Sequence, residues 1–390
     1  MANSVYISGL SCLSPYGLSI SKLCASLLEF PEQPKTVAVG STRQKLSYFP
    51  LVDFSPALAH FVPPLKRRKM SRLSRMAVTA SGLALRHAGL AGHQPECGVV
   101  LGTAFGSTAQ SELFYQDMCD HSFIKANPGL FPETVPNSPA GQVSITFGLQ
   151  GPNTTICQQS ISSELALMTG FDLIRDGKLD CVVVIGLEEM SEGLLSGLWA
   201  CGALQKAPQS LAAIPLARRM IAGEGAVAFI LESAESLAKR KGEPLAEIKA
   251  VHTAGASRWP AAYTAIEDSS QQVVTLCEAQ DADCVIPSGS FIGQVDHRHF
   301  HGLSSLFPTG TAMIVPEYHT GAMFGAGLLK QAIGVYLLNQ ADFYGRPLGA
   351  ILDPAYSNLY PQSYAQVSGV YTSALSAGGG CGGVLLRRVQ

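Results

Sequence analysis

The sequence predicts an α/β protein in which most strands are parallel. Short runs rich in Val and Ile alternate along the 390 residues with longer stretches of helical periodicity. This alternation is typical of sheets covered by helices. A chain of this length exceeds what one hydrophobic core usually holds, so we expect two domains or one duplicated core.

The candidate strands and helices follow one another in two series. The first contains a clear amphipathic helix, Ser71–Ala88, in which Leu73, Met76 and Ala80 recur on one face. Its candidate strands are Ser4–Ser8, Gly98–Leu101, Thr154–Cys157, Cys181–Ile185 and Ala226–Leu231. After Glu235–Lys241 the alternation restarts with Leu245–Val251, Cys284–Ile286, Gly325–Asn339 and Gly383–Arg388. We therefore expect two similar halves, residues 1–233 and 234–390.

The composition favours an oligomer. Hydrophobic residues make up 47% of the chain and charged residues only 14%, so we expect another subunit to cover part of the surface. The net charge of -2 gives no general attraction to nucleic acid or to an anionic membrane. The ten cysteines are scattered singly, which predicts reduced thiols and no metal site. The sequence lacks a signal-peptide pattern and any run of about 18 apolar residues, so we expect a cytoplasmic protein without a membrane span.

Two consecutive segments carry a resemblance to a known family. The segments Phe131–Gln142 and Phe147–Asn153 closely resemble the region before the active-site elbow of the β-ketoacyl synthases. Further segments along the chain also resemble landmarks of the family and occur in the family's order: Ile7–Gly17, Gly186–Glu189, Gly223–Ala226 and Gly378–Gly383. The resemblance implies a thiolase-like fold, a five-layer αβαβα body of two similar halves that dimerises through a sheet edge. It implies no cofactor.

The positions that carry catalysis in this family are substituted here. In the family a cysteine lies ten positions into the run that begins Gly-Pro, and that position is Ser160. The two family histidines correspond to Ser288 and Ala322, and the lysine upstream of the second corresponds to Glu317. The histidines polarise a thioester carbonyl, which alanine cannot do and serine does poorly. The resemblance therefore implies a degenerate active site with no catalytic residues, and it places Cys381 at the family's aromatic gate.

Alternatives remain open at the elbow. Cys157 lies three residues too early to take the place of the nucleophile. Ser160 can act as a helix N-cap, or as a nucleophile if a base lies within reach. His319, three residues before Ala322, is the nearest candidate base in the sequence.

Two clusters outside these motifs have a functional and a structural explanation each. His297, His299 and His301 alternate as they would on an extended strand, where they could bind a metal or simply lie in a solvated loop. The basic run contains Lys66, Arg67, Arg68 and Lys69, followed by Arg72 and Arg75. It is either a docking patch for an acidic acyl carrier protein or a solvated face.

A degenerate chain of this family resembles a chain-length factor, which pairs with a catalytic ketosynthase as a heterodimer and shapes the acyl channel. Similar partners occur in aryl polyene pathways. The resemblance places channel-lining interface residues in Gln110–Asp117, including Phe114 and Tyr115, although both can serve in ordinary dimer packing. The alternative functions are a serine-dependent acyltransferase using Ser160 and a homodimeric acyl-binding scaffold.

Overall fold

A computed structural model describes residues 3–27, 34–40, 43–90, 96–122, 124–204, 220–255, 263–289, 293–308, 311–340, 366–376 and 378–389. The strands in these ranges are β1 (Val5–Leu13), β2 (Lys35–Val39), β3 (Gln44–Phe49), β4 (Gly98–Gly102), β5 (Asn153–Ile156), β6 (Cys181–Glu188), β7 (Ala222–Gly223), β8 (Gly225–Ser233), β9 (Ala246–Gly255), β10 (Cys284–Pro287), β11 (Ala312–Met313), β12 (Gly369–Leu375) and β13 (Gly380–Arg387).

The α-helices in the same ranges are α1 (Ile20–Ser26), α2 (Ser55–Leu58), α3 (Pro64–Arg67), α4 (Arg72–His87), α5 (Thr108–His121), α6 (Ser138–Phe147), α7 (Ser162–Arg175), α8 (Glu192–Ala200), α9 (Ala234–Arg240), α10 (Tyr263–Leu276), α11 (Gly293–Ser304), α12 (Glu317–Thr320) and α13 (Leu329–Leu338). Two 3-10 helices cover Pro128–Glu133 and Phe324–Ala326. None of the described helices has the length and apolar character needed to cross a membrane.

Ten strands form one continuous sheet in which the same pattern occurs twice. The order is β11-β10-β12-β13-β9-β1-β8-β6-β4-β5, and the two sets of five meet where β1 pairs with β9. In the first set β1, β8 and β6 are antiparallel neighbours, and β6, β4 and β5 run parallel. In the second set β9, β13 and β12 are antiparallel, and β12, β10 and β11 run parallel. The predicted fold of two similar halves is confirmed, while the boundary between residues 233 and 234 stays a prediction. The expectation that most strands are parallel is wrong, because five of the nine neighbouring strand pairs in this sheet are antiparallel.

Helices cover the two sets of strands in three layers. The helix α4 packs against β1, β8 and β6 on one outer face. The helices α10 and α11 belong to the apolar cluster on the outer face of the second set. The helices α7 and α13 contact strands of both sets, so they form the central layer. Because α7 begins in this central layer, the turn that precedes it lies between the two halves.

The histidine cluster does not lie on a strand. All three histidines are on α11, so both the extended strand and the solvated loop are wrong. His301 Nδ1 lies 2.7 Å from a carboxylate oxygen of Glu267, at the exposed side of the helix. His299 is buried between Ser270 and Ser373, and burial lowers its pKa to about 3. No group of three potential metal ligands occurs within the described residues.

Candidate functional site

Ser160 lies in the sharp turn that joins β5 to α7. Gln159, directly before it, has a φ of 51°, a left-handed conformation that non-glycine residues seldom adopt. The Ser162 hydroxyl accepts a hydrogen bond from the Gln158 amide at 2.8 Å and donates one to the Gln159 carbonyl at 2.6 Å. The helix N-cap is Ile161, so the predicted capping role of Ser160 is wrong. The turn runs one residue further than expected, which leaves Ser160 at its apex.

A glycine of β4 permits this turn to approach the sheet. A Cβ atom on Gly102 would lie 2.5 Å from the carbonyl oxygen of Ser162, closer than real Cβ contacts. The hydroxyl of Ser163 donates to the carbonyl of Gly325, which ties the start of α7 to the 3-10 helix Phe324–Ala326. Backbone packing therefore fixes the turn on two sides, independently of the side chain at position 160.

A cavity of about 190 Å³ brings together the three residues that the resemblance assigns to the catalytic positions. Ser160, Ser288 and Ala322 all line it. Its other polar lining residues are Glu317, Thr320, Lys330 and Ser376, and its apolar ones include Met220, Ile266, Met323, Phe324 and Leu375. Among the described residues that line the cavity there is neither a histidine nor a cysteine.

The backbone holds Ser288 and Ala322 in place. The Ser288 hydroxyl accepts a hydrogen bond from the Leu375 amide at 3.0 Å, at the end of β12. The amide of Ala322 donates to the carbonyl of Ile221 at 2.7 Å, and its own carbonyl accepts from Gly223 at 2.9 Å. Neither position presents a group that can take a proton near neutral pH. Residues 290–292, which continue the passage after Ser288, lie outside the described residues.

The cavity wall contains a buried charged group that the sequence did not reveal. Lys330 Nζ lies 3.2 Å from Glu164 Oε1, and the two side chains are 4% and 0% exposed. Gln331 Nε2 also approaches Glu164 Oε1, at 3.4 Å. Burial raises the pKa of Glu317 to about 7, and the positive charge of Lys330 opposes this shift only in part. One oxygen of Glu317 has no hydrogen-bond partner among the described residues.

Neither the two other residues considered at the elbow nor the gate residue Cys381 lines the cavity. His319 is fully buried, and burial lowers its pKa to about 4, so it is neutral at pH 7. Cys157 is exposed just after β5. Cys381 is buried in an apolar cluster within β13 and pairs with Leu375, so the gate loop that the resemblance implies around Cys381 is a strand from Gly380 onward. A glycine fits this strand because Gly383 lies so close to the Tyr371 side chain that there is no room for a Cβ atom.

The elbow lies next to an unpaired sheet edge with apolar surroundings. Within the described residues β5 is the last strand of its sheet and has a neighbour on one side only. Large apolar side chains are exposed on the adjoining helices: Leu113 58%, Tyr115 67%, Phe131 56% and Ile145 72%. Phe114 is half-buried and packs on Phe131 with ring centroids 5.7 Å apart. Of the two predicted interface residues, Tyr115 points outward and Phe114 supports the surface from beneath.

An aromatic contact connects this surface to the cavity. Phe105, 38% exposed in the turn after β4, packs edge-on against the cavity-lining Phe324 with centroids 5.0 Å apart. The Glu188 carboxylate holds both segments, because it accepts hydrogen bonds from Ala104 N at 2.7 Å and Gly325 N at 3.1 Å. Burial raises the pKa of Glu188 to about 8, although these amides favour its ionised form.

The basic run divides into an exposed part and a structural part. Lys66, Arg68 and Lys69 are exposed around α3, and Arg67 is half-buried. Arg72 points inward and makes two hydrogen bonds to Glu224, at 2.7 and 2.9 Å. The charge available to a partner therefore comes from residues 66–69.

Comparison with known proteins assigns the family. The sequence-family model of the beta-ketoacyl synthase N-terminal domain matches residues 2–236 of this chain. The chain belongs to the β-ketoacyl synthase family. A protein named putative polyketide beta-ketoacyl synthase 1, from Streptomyces virginiae, is 28% identical over 371 residues, which cover 89% of this chain and 82% of the relative.

Solved structures of the β-ketoacyl synthase family share the fold. A β-ketoacyl synthase from Burkholderia phymatum STM815 superposes with a TM-score of 0.87 at 21% identity, and all of both chains is covered. The ishigamide ketosynthase/chain length factor superposes with a TM-score of 0.85 at 17% identity, again with full coverage of both chains. The resemblance inferred from the motifs is thus confirmed at the level of family and fold.

Proposed function

We propose that this chain is a noncatalytic subunit that pairs with an active ketosynthase and shapes the channel for the growing acyl chain. The observation that carries the proposal is the composition of the cavity, whose described lining contains neither a histidine nor a cysteine. Condensation needs a nucleophile, a proton acceptor and donors to a thioester carbonyl, and each contributes orders of magnitude to rate. Ser160, Ser288 and Ala322 supply none of these in the family's form.

The surface beside β5 supports pairing with a second subunit. An unpaired strand can extend the sheet across a two-fold axis, and exposed aromatic and aliphatic side chains are typical of interface cores. The fold is also that of the ishigamide ketosynthase/chain length factor, a protein whose name includes both subunit types. We propose that the partner keeps the Cys-His-His set that this chain lacks.

The contact between Phe105 and Phe324 supports a role in shaping a channel. Phe105 belongs to the partner-facing side and Phe324 to the cavity. Because the two rings are in contact, a displacement of one ring shifts the other. In the proposed pair, this contact therefore couples the shape of the partner's tunnel to the shape of this cavity. Phe114, which supports the exposed surface through Phe131, is the candidate for the tunnel floor.

We also propose that an acidic acyl carrier protein docks on residues 66–69. Lys66, Arg68 and Lys69 are exposed and form no ion pair within the part of the chain that the structure describes, whereas Arg72 pairs with the buried Glu224. Reversing Lys66, Arg68 and Lys69 to Glu should weaken carrier binding at least tenfold and remove its salt dependence. Reversal of Lys35 and Lys45, exposed on the β2–β3 hairpin, is the matched control and should leave binding unchanged.

The decisive experiment is isolation of the protein from its native source, followed by mass and composition analysis of its complex. We expect a one-to-one assembly with a chain of similar size that carries the family's cysteine and two histidines. The substitution Ile145→Asp should break this assembly because it buries a charge at the interface, while Leu276→Asp, on the opposite outer layer and 45% exposed, should not. A self-contained homodimer that ignores ketosynthases would contradict the pairing.

One observation favours a second candidate, a serine-dependent acyltransferase. Glu317 lines the same cavity as Ser160, and its raised pKa of about 7 suits a proton acceptor. Incubation with an acyl thioester followed by peptide mass spectrometry tests this function. Acylation of Ser160 that disappears in Glu317→Gln would establish it, and an unmodified Ser160 would remove it.

A further inference from the structure

Two cysteines lie side by side at the starts of the neighbouring strands β4 and β6. Cys97 directly precedes β4 and Cys181 begins β6, and the register that pairs Gly98 with Val182 places the two cysteines opposite each other. Their sulfur atoms are 2.8 Å apart. Neighbouring strands are spaced about 4.8 Å apart, which falls within the Cα separation of about 4.4–6.8 Å that disulfides span.

We propose that Cys97 and Cys181 are a disulfide-forming pair that a hydroperoxide oxidises. Cys181 is the partly exposed member and Cys97 is buried, so Cys181 reacts first. Its thiolate attacks the peroxide oxygen, the O–O bond breaks, and a sulfenic acid and one water form. The Cys97 sulfur then attacks the sulfenic sulfur, the S–O bond breaks, and a second water leaves. Overall, two thiols are oxidised to one disulfide while one hydrogen peroxide is reduced to two waters.

The surroundings of Cys181 allow entry of a small oxidant but slow the reaction. A surface depression lined by Glu96, Leu179 and Asp180 lies directly beside the pair. The hydrogen bond with Cys97 and burial raise the pKa of Cys181; the carboxylate of Glu232 adds to this and Arg240 opposes it. Because the thiolate is the reactive form, oxidation should be slow at neutral pH and faster at alkaline pH.

The position of the pair gives the cross-link a specific consequence. The segment between residues 97 and 181 contains α5, α6, β5 and the Ser160 turn. A disulfide therefore joins the two ends of the segment that contains the edge strand β5 and the Ser160 turn. A cross-link across 84 positions restricts the unfolded chain, so we expect the oxidised protein to unfold about 5 °C higher than the reduced one.

Peptide mapping of the full-length protein tests this directly. Reduced protein is treated with graded hydrogen peroxide, unfolded, blocked with iodoacetamide and digested. We expect a Cys97–Cys181 linked peptide, forming faster at pH 9 than at pH 7. The inference is overturned if both cysteines stay alkylatable, or carry sulfinic acid, at peroxide levels that have already oxidised the exposed Cys119.

Thermal unfolding with and without peroxide is the second measurement. The shift should vanish in Cys97→Ala and persist in Cys201→Ala, which removes an exposed cysteine outside the pair. A shift that survives Cys97→Ala would assign the stabilisation to another oxidation and contradict the inference. The outcome is independent of the proposed noncatalytic role, because it requires no partner subunit and no acyl substrate.

Discussion

Replacing Lys330 by Met tests whether the buried ion pair beside the cavity holds the central layer together. Methionine keeps most of the apolar stem of lysine and removes its charge. Glu164, 0% exposed, then loses a cation at 3.2 Å and, among the described residues, is left with the Gln331 amide at 3.4 Å. Removing one partner of a buried pair typically costs about 3–5 kcal/mol because the other charge stays buried. We expect Lys330→Met to lower the free energy of unfolding by that amount.

The double variant Lys330→Met/Glu164→Gln separates the loss of the pair from the penalty of an unpaired charge. It removes both charges and leaves an amide that can still bond to Gln331, so most of the lost stability should return. The pair Lys239–Glu235 serves as a control, because its side chains are 68% and 70% exposed at an N–O distance of 2.8 Å. Lys239→Met should leave the free energy of unfolding unchanged within the error of the measurement, because water screens an exposed pair.

Urea unfolding followed by circular dichroism measures these differences at one protein concentration and pH 7. The midpoint should fall in Lys330→Met without a change in the slope of the transition. A cost below about 1 kcal/mol, or a double variant as unstable as Lys330→Met, would refute the assignment of the pair as a coupled buried unit.

The remaining predictions concern single side chains of the site. Burial raises the pKa of Glu317 from 4.5 to about 7, so ionisation of this group destabilises the folded protein as pH rises from 4.5 to 7. In urea unfolding, Glu317→Gln should raise the free energy of unfolding by up to about 3 kcal/mol above pH 7 and leave it unchanged below pH 4.5. The control Glu243→Gln, at an exposed position, should show no such trend. Ser160→Ala should leave product formation by the assembled complex within about twofold, while a loss of about 100-fold would make Ser160 catalytic. Phe114→Ala should lengthen the products seen by mass spectrometry, and an unchanged profile would exclude Phe114 as the tunnel floor.

Sequence patterns located most of the strands that the structure describes, and the motifs singled out Ser160, Ser288 and Ala322. The candidate strand Cys181–Ile185 lies within β6, Cys181–Glu188. The prediction ends too early because a run of hydrophobic residues marks the buried part of a strand and not its polar end. The helix around Ser71–Ala88 was found with Ser71 as its N-cap. The positions of Ser160, Ser288 and Ala322 came from motifs, and the structure adds that one cavity contains all three.

The histidine helix was missed although a signal existed. Asp296, His299, Phe300 and Leu303 are buried at the spacing i, i+3, i+4 and i+7, which indicates a helix face, whereas the alternation of histidines alone suggested a strand. No local pattern could have predicted the ion pair between Lys330 and Glu164, because it joins residues 166 positions apart through the packing of α13 on α7. A lysine inside the apolar helix Leu329–Leu338 was the only hint of a buried partner.

The turn before α7 is held by contacts that do not involve the side chain at position 160. The turn is fixed by Gly102 against the Ser162 carbonyl, by the two hydrogen bonds of the Ser162 hydroxyl, and by Ser163 on Gly325. Residue 160 contributes its side chain to the cavity and not to these contacts. A substitution there changes the reactivity of the site without disturbing the packing of α7 between the two halves. In the proposed noncatalytic subunit, selection for a channel shape can therefore retain the whole body with Ser160, Ser288 and Ala322 at these positions.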